Sequence, residues 1–180
     1  MKKQDAIAAL TFGAIAFGIT PVFAQDSEQV NTSVNIILAD VIAMDIGSAS
    51  TGSTVDFTYV NTTDYNSSKN VAVPNSLVIS SSKNFDVKVK SAGTNFVSGA
   101  NVIPVDILQV KAIAGGSLMG NMNEVTLSAT DQVLVGNASS GAKQSLNIAY
   151  SISAEKASKV LLGKPVGTYT QTVTYTATAL

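Results

Sequence analysis

The sequence predicts an all-β protein, a single immunoglobulin-like antiparallel β-sandwich. Short stretches in which apolar and polar residues alternate recur about every 8–15 residues, and clusters of Gly, Asn and Ser separate them. Almost no stretch shows helical periodicity. Charged residues make up only 13% of the chain, and Ser, Thr, Asn, Ala and Val dominate, which is typical of extracellular β proteins.

The segment from Gly167 to Leu180 carries the clearest strand pattern. Thr occupies every second position from Thr168 to Thr178, with Tyr, Gln, Val and Ala between. Because successive side chains of a strand point to opposite faces, this strand has a threonine face and an aromatic and aliphatic face. Burial of the strand requires neighbours on both sides, and a missing neighbour leaves an unpaired edge. The segment contains neither charge nor proline, the usual protection of such edges.

A second alternating run extends from Val30 to Ile46. Its first half has apolar side chains on one face, and its second half is apolar on both faces. The run is longer than the usual strand of 3–10 residues. We therefore expect a bend or a change of partner near Ala39 and Asp40, which makes two successive strands.

The region between these two segments contains weaker strand patterns and few other elements. Strands are predicted at Val55–Tyr59, Val71–Ile79, Phe85–Val89, Val102–Ile113, Glu124–Ala129, Gln132–Val135 and Ser145–Ser153. Pro74 and Asn75 predict a bulge or an edge strand within the second of these. Asn61–Asn70 is predicted to be a polar loop, and Ala154–Lys164 allows one helical turn.

The first residues are typical of an export signal. Lys2 and Lys3 precede an uncharged apolar run, and the small residues Val22 and Ala24, at positions −3 and −1, predict cleavage after Ala24. We expect a signal peptide at 1–24, an N-terminal extension at 25–39 and a sandwich domain at 40–180. No membrane span is expected in the mature chain.

Missing residue types narrow the possible chemistry. The chain has no Cys, His, Trp or Arg, and its net charge is −1. Without His or Cys it lacks the usual proton shuttle at neutral pH and the usual zinc ligands. Without a basic stripe it is not expected to bind nucleic acid. We therefore expect no catalytic residue, no metal site and no cofactor.

Three weaker motifs have structural interpretations that we prefer. Ser80–Lys83 and Ser153–Lys156 have the Ser-x-x-Lys spacing of a catalytic dyad, but such short motifs often match by chance. Asp64 could contribute to a calcium site in the polar loop, although one carboxylate is a poor ligand set. A sugar-stacking platform could be built from Tyr59, Tyr65, Tyr169 and Tyr175. Tyrosines at alternating strand positions more often pack in a core or at its rim.

The two alternating segments together resemble the pilins of chaperone–usher fimbriae. Those subunits are incomplete immunoglobulin-like sandwiches, and each lends an N-terminal extension to the groove of the next subunit. The resemblance implies a donor strand and an acceptor strand beside the groove. The donor residues would be Val30, Val34, Ile36 and Leu38. The acceptor residues would be Gly167, Tyr169, Val173, Tyr175 and Ala177.

The expected function is that of a structural subunit of an extracellular filament on the cell surface. The resemblance implies that its partners are other copies of itself, a periplasmic chaperone and an outer-membrane usher. The alternative is a self-complete secreted sandwich that binds carbohydrate or a surface protein through loops such as Asn61–Asn70. An exported hydrolase is a third possibility, which the absence of His and Cys disfavours.

Overall fold

A computed structural model describes residues 32–47 and 54–180, so the predicted signal peptide and Val30 lie outside the described residues. All strands of the described residues lie within Leu38–Leu180, which forms one compact unit. They pair antiparallel in packed sheets, and the predicted all-β sandwich is confirmed. The strands are β1 (Ile42–Ile46), β2 (Lys69–Ser81), β3 (Phe85–Ser91), β4 (Asn95–Ser98), β5 (Asn101–Pro104), β6 (Leu108–Ile113), β7 (Asn121–Met122), β8 (Glu124–Thr126), β9 (Gln132–Ala138), β10 (Gly141–Ile152) and β11 (Val173–Ala179).

The first sheet has five strands in the order β1-β2-β10-β6-β8. Its central strand, β10, has the alternation that the sequence predicted, and Leu146, Ile148 and Ile152 are buried. Tyr150 of β10 lies opposite Val71 of β2 on one side and Val110 of β6 on the other. Because β10 pairs with β2 along one edge and with β6 along the other, it lies at the centre of the sheet.

The second sheet has four strands in the order β11-β3-β9-β7. Phe85, Val87 and Val89 of β3 are fully buried, whereas the charged residues between them are partly exposed. This is the alternation of a strand with one face on the core and one toward solvent. The core lies between the two sheets, and each fully buried aliphatic side chain stabilises it by about 1.5–3 kcal/mol.

One side of the sandwich is closed by a segment that belongs to both sheets. β7 pairs with β9 in the second sheet, and β8 pairs with β6 in the first. Between them, the Asn123 amide donates to the Leu134 carbonyl, and the Asn123 carbonyl accepts from the Ala112 amide. Residues 121–126 therefore join the two sheets along one edge, and we call this edge the closed side.

The predicted irregularity at Pro74 and Asn75 is a bulge. Asn75 has a φ of 47°, and the register of β2 against β10 shifts at this point. The Asn75 amide donates to the Asn147 side chain at 2.7 Å. Asn accepts this left-handed conformation more readily than most residues, which keeps β2 continuous through the bulge.

Short helices and one hairpin complete the fold. Thr62–Tyr65 forms a helical turn (α1) within the predicted polar loop, and a 3₁₀ turn covers Val105–Ile107. Ala154–Lys156 (α2) continues into a π-helical turn at Ala157–Leu161, so the predicted single turn is extended. β4 and β5 form a two-stranded hairpin that the sequence did not predict.

One predicted strand is wrong, and of the long alternating run only the second part forms a strand. Residues 54–60 form no strand, although Val55, Phe57 and Tyr59 alternate as expected and pack against the core. Residues 32–41 also form no strand, and only Ile42–Ile46 of the long alternating run does so. Thr32–Ile37, described by itself, has neither helix nor strand and is exposed throughout. The change near Asp40 is real, because β1 begins two residues later.

Candidate interface at the open sheet edge

The side of the sandwich opposite the closed side is bordered by β1 and β11. β1 is the last strand of the first sheet, and β11 is the last strand of the second. Cα atoms of these two strands approach within 8 Å. In the described part of the chain, β1 pairs with β2 alone and β11 pairs with β3 alone. No described strand joins the two sheets here, and we call this edge the open side.

The backbone of β11 shows which of its groups remain available. The Thr172 carbonyl accepts from Ala92, and the Leu180 amide donates to Asn84. Both bonds fit the register of β11 against β3, in which hydrogen-bonded pairs recur at every second residue. Thr174, Thr176 and Thr178 therefore direct their backbone groups toward β3. The residues between them direct theirs toward the open side: Val173, Tyr175 and Ala177.

The same residues turn their side chains inward. From Tyr169 to Ala177 every second residue is partly buried, and every threonine between them is exposed. Tyr169, Val173, Tyr175 and Ala177 pack against the core cluster without being fully covered. The open side thus presents unpaired backbone groups and incompletely buried apolar side chains together.

A tyrosine pair crosses the sandwich at this edge. The hydroxyls of Tyr150, on β10, and Tyr175, on β11, lie 2.6 Å apart. Burial raises the pKa of the Tyr150 hydroxyl. Burial, followed by the interaction with Tyr150, raises the pKa of Tyr175 strongly. Both hydroxyls are therefore neutral at any physiological pH, and their hydrogen bond links the edge strand to the other sheet.

The remaining predicted acceptor residues precede β11. Gly167 is exposed, and a Cβ atom there would lie 2.7 Å from the Ser98 hydroxyl of β4, a contact that rotation of the serine side chain would relieve. The Tyr169 hydroxyl donates to the Pro165 carbonyl at 2.8 Å. Thr170 exchanges two backbone hydrogen bonds with Val97 of β4. The edge strand is thus supported along one side from Thr170 onward.

The described donor residues are all exposed. Val34 and Ile36 are each 82% exposed, and Leu38 is 88% exposed. Isolated exposed apolar residues are ordinary, but these three alternate along the sequence, and in an extended strand they would form one apolar stripe. Such a stripe suits pairing with a sheet edge, because every second side chain of an inserted strand faces the core.

The residues of the weaker motifs have other contacts. The Ser153 hydroxyl accepts from the Lys156 amide and caps α2, while Lys156 forms an ion pair with Asp106. The Ser80 hydroxyl accepts from the Lys143 amide, and Lys83 forms an ion pair with Asp40. These contacts have structural roles, and neither motif brings its hydroxyl to its ammonium group.

Asp64, the candidate calcium ligand, is held by local bonds. Its Oδ1 atom lies 2.7 Å from the Lys69 ammonium, and its Oδ2 atom accepts from the Val60 and Asn61 amides. The bond from Lys69 and the backbone bonds lower the pKa of this carboxyl. A neighbouring ammonium competes with any cation. Among the described residues, no group of three acidic, His or Cys side chains could hold a metal ion.

The four tyrosines do not form one platform. Tyr59 and Tyr65 pack together with ring centroids 5.2 Å apart, and the Lys69 ammonium lies 5.1 Å from the centre of the Tyr59 ring. Tyr175 instead points inward to its partner on β10. The Tyr59 hydroxyl is buried and has no hydrogen-bond partner among the residues described, and burial, followed by the charge of Asp64, raises its pKa.

Two residues of the open side were not predicted from the sequence, Tyr150 and Gln171. Tyr150 belongs to a predicted strand face, but no local pattern shows which tyrosine lies across the core. Gln171 occupies an inward position, yet its Nε2 atom donates to the Asn95 carbonyl at 2.6 Å. Its polar character did not suggest an interface.

A further depression of about 430 Å³ lies beside β2 and is wide open to solvent. It is bordered mainly by small residues and hydroxyls, including Ser80, Ser82 and Ser140.

Among the described residues, no helix has both the length and the apolar character to cross a bilayer. Comparison with known proteins gives no assignment, since no protein-family model and no curated protein sequence matches this chain.

Proposed function

We propose that this protein is a non-enzymatic structural subunit of an extracellular filament, assembled by insertion of a strand from one copy into the sheet edge of the next. The open side carries the proposal. It combines a strand with unpaired backbone groups, half-buried apolar side chains and neither charge nor proline. Proteins normally protect such edges because they aggregate. In a polymer, the same edge forms the contact between neighbouring subunits.

The N-terminal extension is the proposed occupant. Its alternating residues Val30, Val34, Ile36 and Leu38 match the alternation of the acceptor strand. Full burial of four aliphatic side chains contributes on the order of 6–12 kcal/mol before the cost of ordering the segment. Backbone hydrogen bonds add continuity, since an inserted strand extends the sheet. A homopolymer follows if each copy donates to its neighbour.

The proposed partners follow from the same edge. A chain with an exposed acceptor strand needs protection before assembly, and a periplasmic chaperone that covers the edge would supply it. An outer-membrane usher would then exchange the chaperone for the next subunit. The predicted signal peptide at 1–24 supports export and a location at the cell surface.

Polymer formation by the processed protein tests the proposal. We expect filaments in negative-stain images and a size distribution that shifts upward with protein concentration. Ile36→Asp should abolish both, because a carboxylate would have to enter an apolar groove. Asn35→Asp is the matched control: it adds the same charge at the neighbouring position, on the other face of the donor strand, and should leave filaments intact.

Deletion of residues 25–38 separates the proposal from its alternative. A subunit that donates this segment to its neighbour should stay folded without it and lose polymerisation. A monomer that unfolds on this deletion, and never polymerises before it, would contradict the proposal. That result would instead favour a self-complete secreted sandwich.

A further inference from the structure

We infer that opposite ends of the sandwich meet between successive copies, because the N-terminal extension is fastened to its own body directly after its last donor residue. We call the end with the connection from β2 to β3, Ser82–Asn84, the turn end. The opposite end, with the hairpin of β4 and β5, is the hairpin end. The inference rests on the proposed function and names the two surfaces that come into contact.

The base of the extension is held at the turn end by three contacts. The Val41 amide donates to the Ser82 hydroxyl, and the Ser82 amide donates to the Val41 carbonyl, each at 2.9 Å. Asp40 forms an ion pair with Lys83. These contacts lie just before β1, so Asp40 and Val41 belong to the folded body and the extension leaves from the turn end.

The tether between the donor residues and this base is short. Leu38, the last donor residue, is exposed and lies three residues before Val41. Three residues span at most about 11 Å. When Leu38 enters the next copy, the turn end of the donor follows within that distance. No free linker separates the two bodies, and the turn end must touch the surface around the place where Leu38 enters.

The hairpin end of the acceptor is the place of entry. The donor strand lies along β11, so Leu38 enters at one of the two ends of β11. β11 finishes at the turn end, where the Leu180 amide donates to the Asn84 carbonyl, and it begins at the hairpin end, where Val173 lies opposite Ser91. At the turn end the acceptor holds out its own extension, which would collide with a donor body. Copies therefore follow one another head to tail, through a heterologous contact.

Exposed valines mark the hairpin end as a surface that a second copy can cover. Val97 and Val102 lie opposite each other in the hairpin, so both are on one face, and both are exposed. Val166 is also exposed and follows Lys164, whose ammonium donates to the Val102 carbonyl at 3.0 Å. At the turn end Val41 is exposed as well. Contact between the two ends buries apolar surface of both copies.

The absence of cysteine from the chain allows a direct test by cross-linking. Ser140 lies at the turn end, where its amide donates to the Asn84 side chain, and Thr168 precedes β11 at the hairpin end; both are exposed. The seven residues of β11 separate the two ends by about 20 Å. A short bifunctional thiol reagent therefore joins these positions only between copies. Filaments of the double variant Ser140→Cys/Thr168→Cys should give a ladder of covalent multimers on a denaturing gel.

The two single variants are the matched controls. Ser140→Cys alone is cross-linked only where two turn ends meet, and Thr168→Cys alone only where two hairpin ends meet. A ladder from the double variant, with monomers from both single variants, supports the inference. Dimers from a single variant, or filaments without a cross-link in any variant, overturn the inference and leave strand insertion standing. Absence of filaments from the unmodified protein overturns the proposed function as well.

A longer tether tests whether the base of the extension brings the ends together. Insertion of Gly-Ser-Gly between Ala39 and Asp40 extends the tether from three residues to six. Filaments should remain, and the cross-linked fraction should fall about threefold, as effective concentration falls with tether length. The same insertion after Asp26 leaves the tether unchanged and should leave the ladder unchanged. An undiminished ladder with the longer tether would overturn the inference.

Discussion

The closed and open sides of this sandwich differ in how the described chain covers the edge of the core. On the closed side, residues 121–126 pair with both sheets, and the neighbouring Leu127, Leu134 and Val135 are fully buried. On the open side, β11 has one neighbouring strand in the described part of the chain, and its inward residues stay partly exposed. A core needs its edges covered, and within residues 32–47 and 54–180 a segment that joins both sheets covers this one on one side only.

This difference explains why one edge strand is short and the other long. β7 and β8 have two and three residues and offer little unpaired backbone. β11 has seven residues and the alternation of a central strand. Short edges avoid unwanted pairing, whereas a long regular edge is suited to pairing with another chain.

The largest expected effect lies in the core near the closed side. Leu134→Ala should lower the free energy of unfolding by about 2–5 kcal/mol, because it leaves a cavity at a fully buried position. Chemical denaturation of the monomer measures this change. Leu162→Ala is the control with the same chemical change at an exposed site, and it should alter stability by less than about 0.5 kcal/mol.

A matched pair of valines in the second sheet compares the two regions directly. Val135→Ala should destabilise the monomer by about 2 kcal/mol, and Val173→Ala by about half as much, because Val173 is only partly buried. Assembly should raise the cost at Val173 toward that at Val135. Equal costs in monomer and filament would show that no strand covers Val173 on assembly.

The tyrosine pair predicts a loss of stability at alkaline pH. Burial raises the pKa of Tyr150 and Tyr175 above the usual value near 10. The folded state therefore holds protons that the unfolded state releases, and stability is fully present below pH 10 and falls as pH rises above it. The slope is at most about 1.4 kcal/mol per pH unit for each tyrosine.

Tyr175→Phe should reduce that slope and cost about 1 kcal/mol at neutral pH through the lost hydrogen bond. Denaturation of the monomer at several pH values between 8 and 12 measures both effects. An unchanged alkaline slope would mean that Tyr175 ionises as readily in the folded protein as in the unfolded chain.

The smallest effect is expected on the outward face of the same strand. Thr176 is exposed and lies opposite Lys88 of β3. Thr176→Val should change the stability of the monomer by less than about 0.5 kcal/mol and leave polymer formation unchanged. Loss of filaments in this variant would place the interface on the threonine face instead of the inward face.

Much of the fold could be predicted because alternation reports burial of side chains. The pattern located β3, β10 and β11, and Pro74 with Asn75 located the bulge in β2. At Val55–Tyr59 the same pattern predicted a strand that the structure does not form, because alternation reports burial of side chains and not pairing of the backbone. Those side chains do alternate and do pack on the core, but hydrogen-bonded pairing depends on which backbone lies alongside, and local periodicity does not encode that.

The candidate site was predictable in part. The alternating residues of the last strand and their single apolar face could be derived from the sequence, and the structure places that face inward. The tyrosine pair could not, because Tyr150 and Tyr175 meet across two sheets. The role of Asn123 in joining the two sheets on the closed side could not be predicted either, because it depends on backbone hydrogen bonds to Leu134 and Ala112, which lie in different sheets.

Amide hydrogen exchange along β11 tests the central claim most directly. In the monomer, the amides of Val173, Tyr175 and Ala177 should exchange fast, while those of Thr174, Thr176 and Thr178 are protected by β3. In the assembled protein, the first three should become protected as well. Protection of all six amides in the isolated monomer, with no change on assembly, would show that the chain covers this edge by itself and would contradict the account.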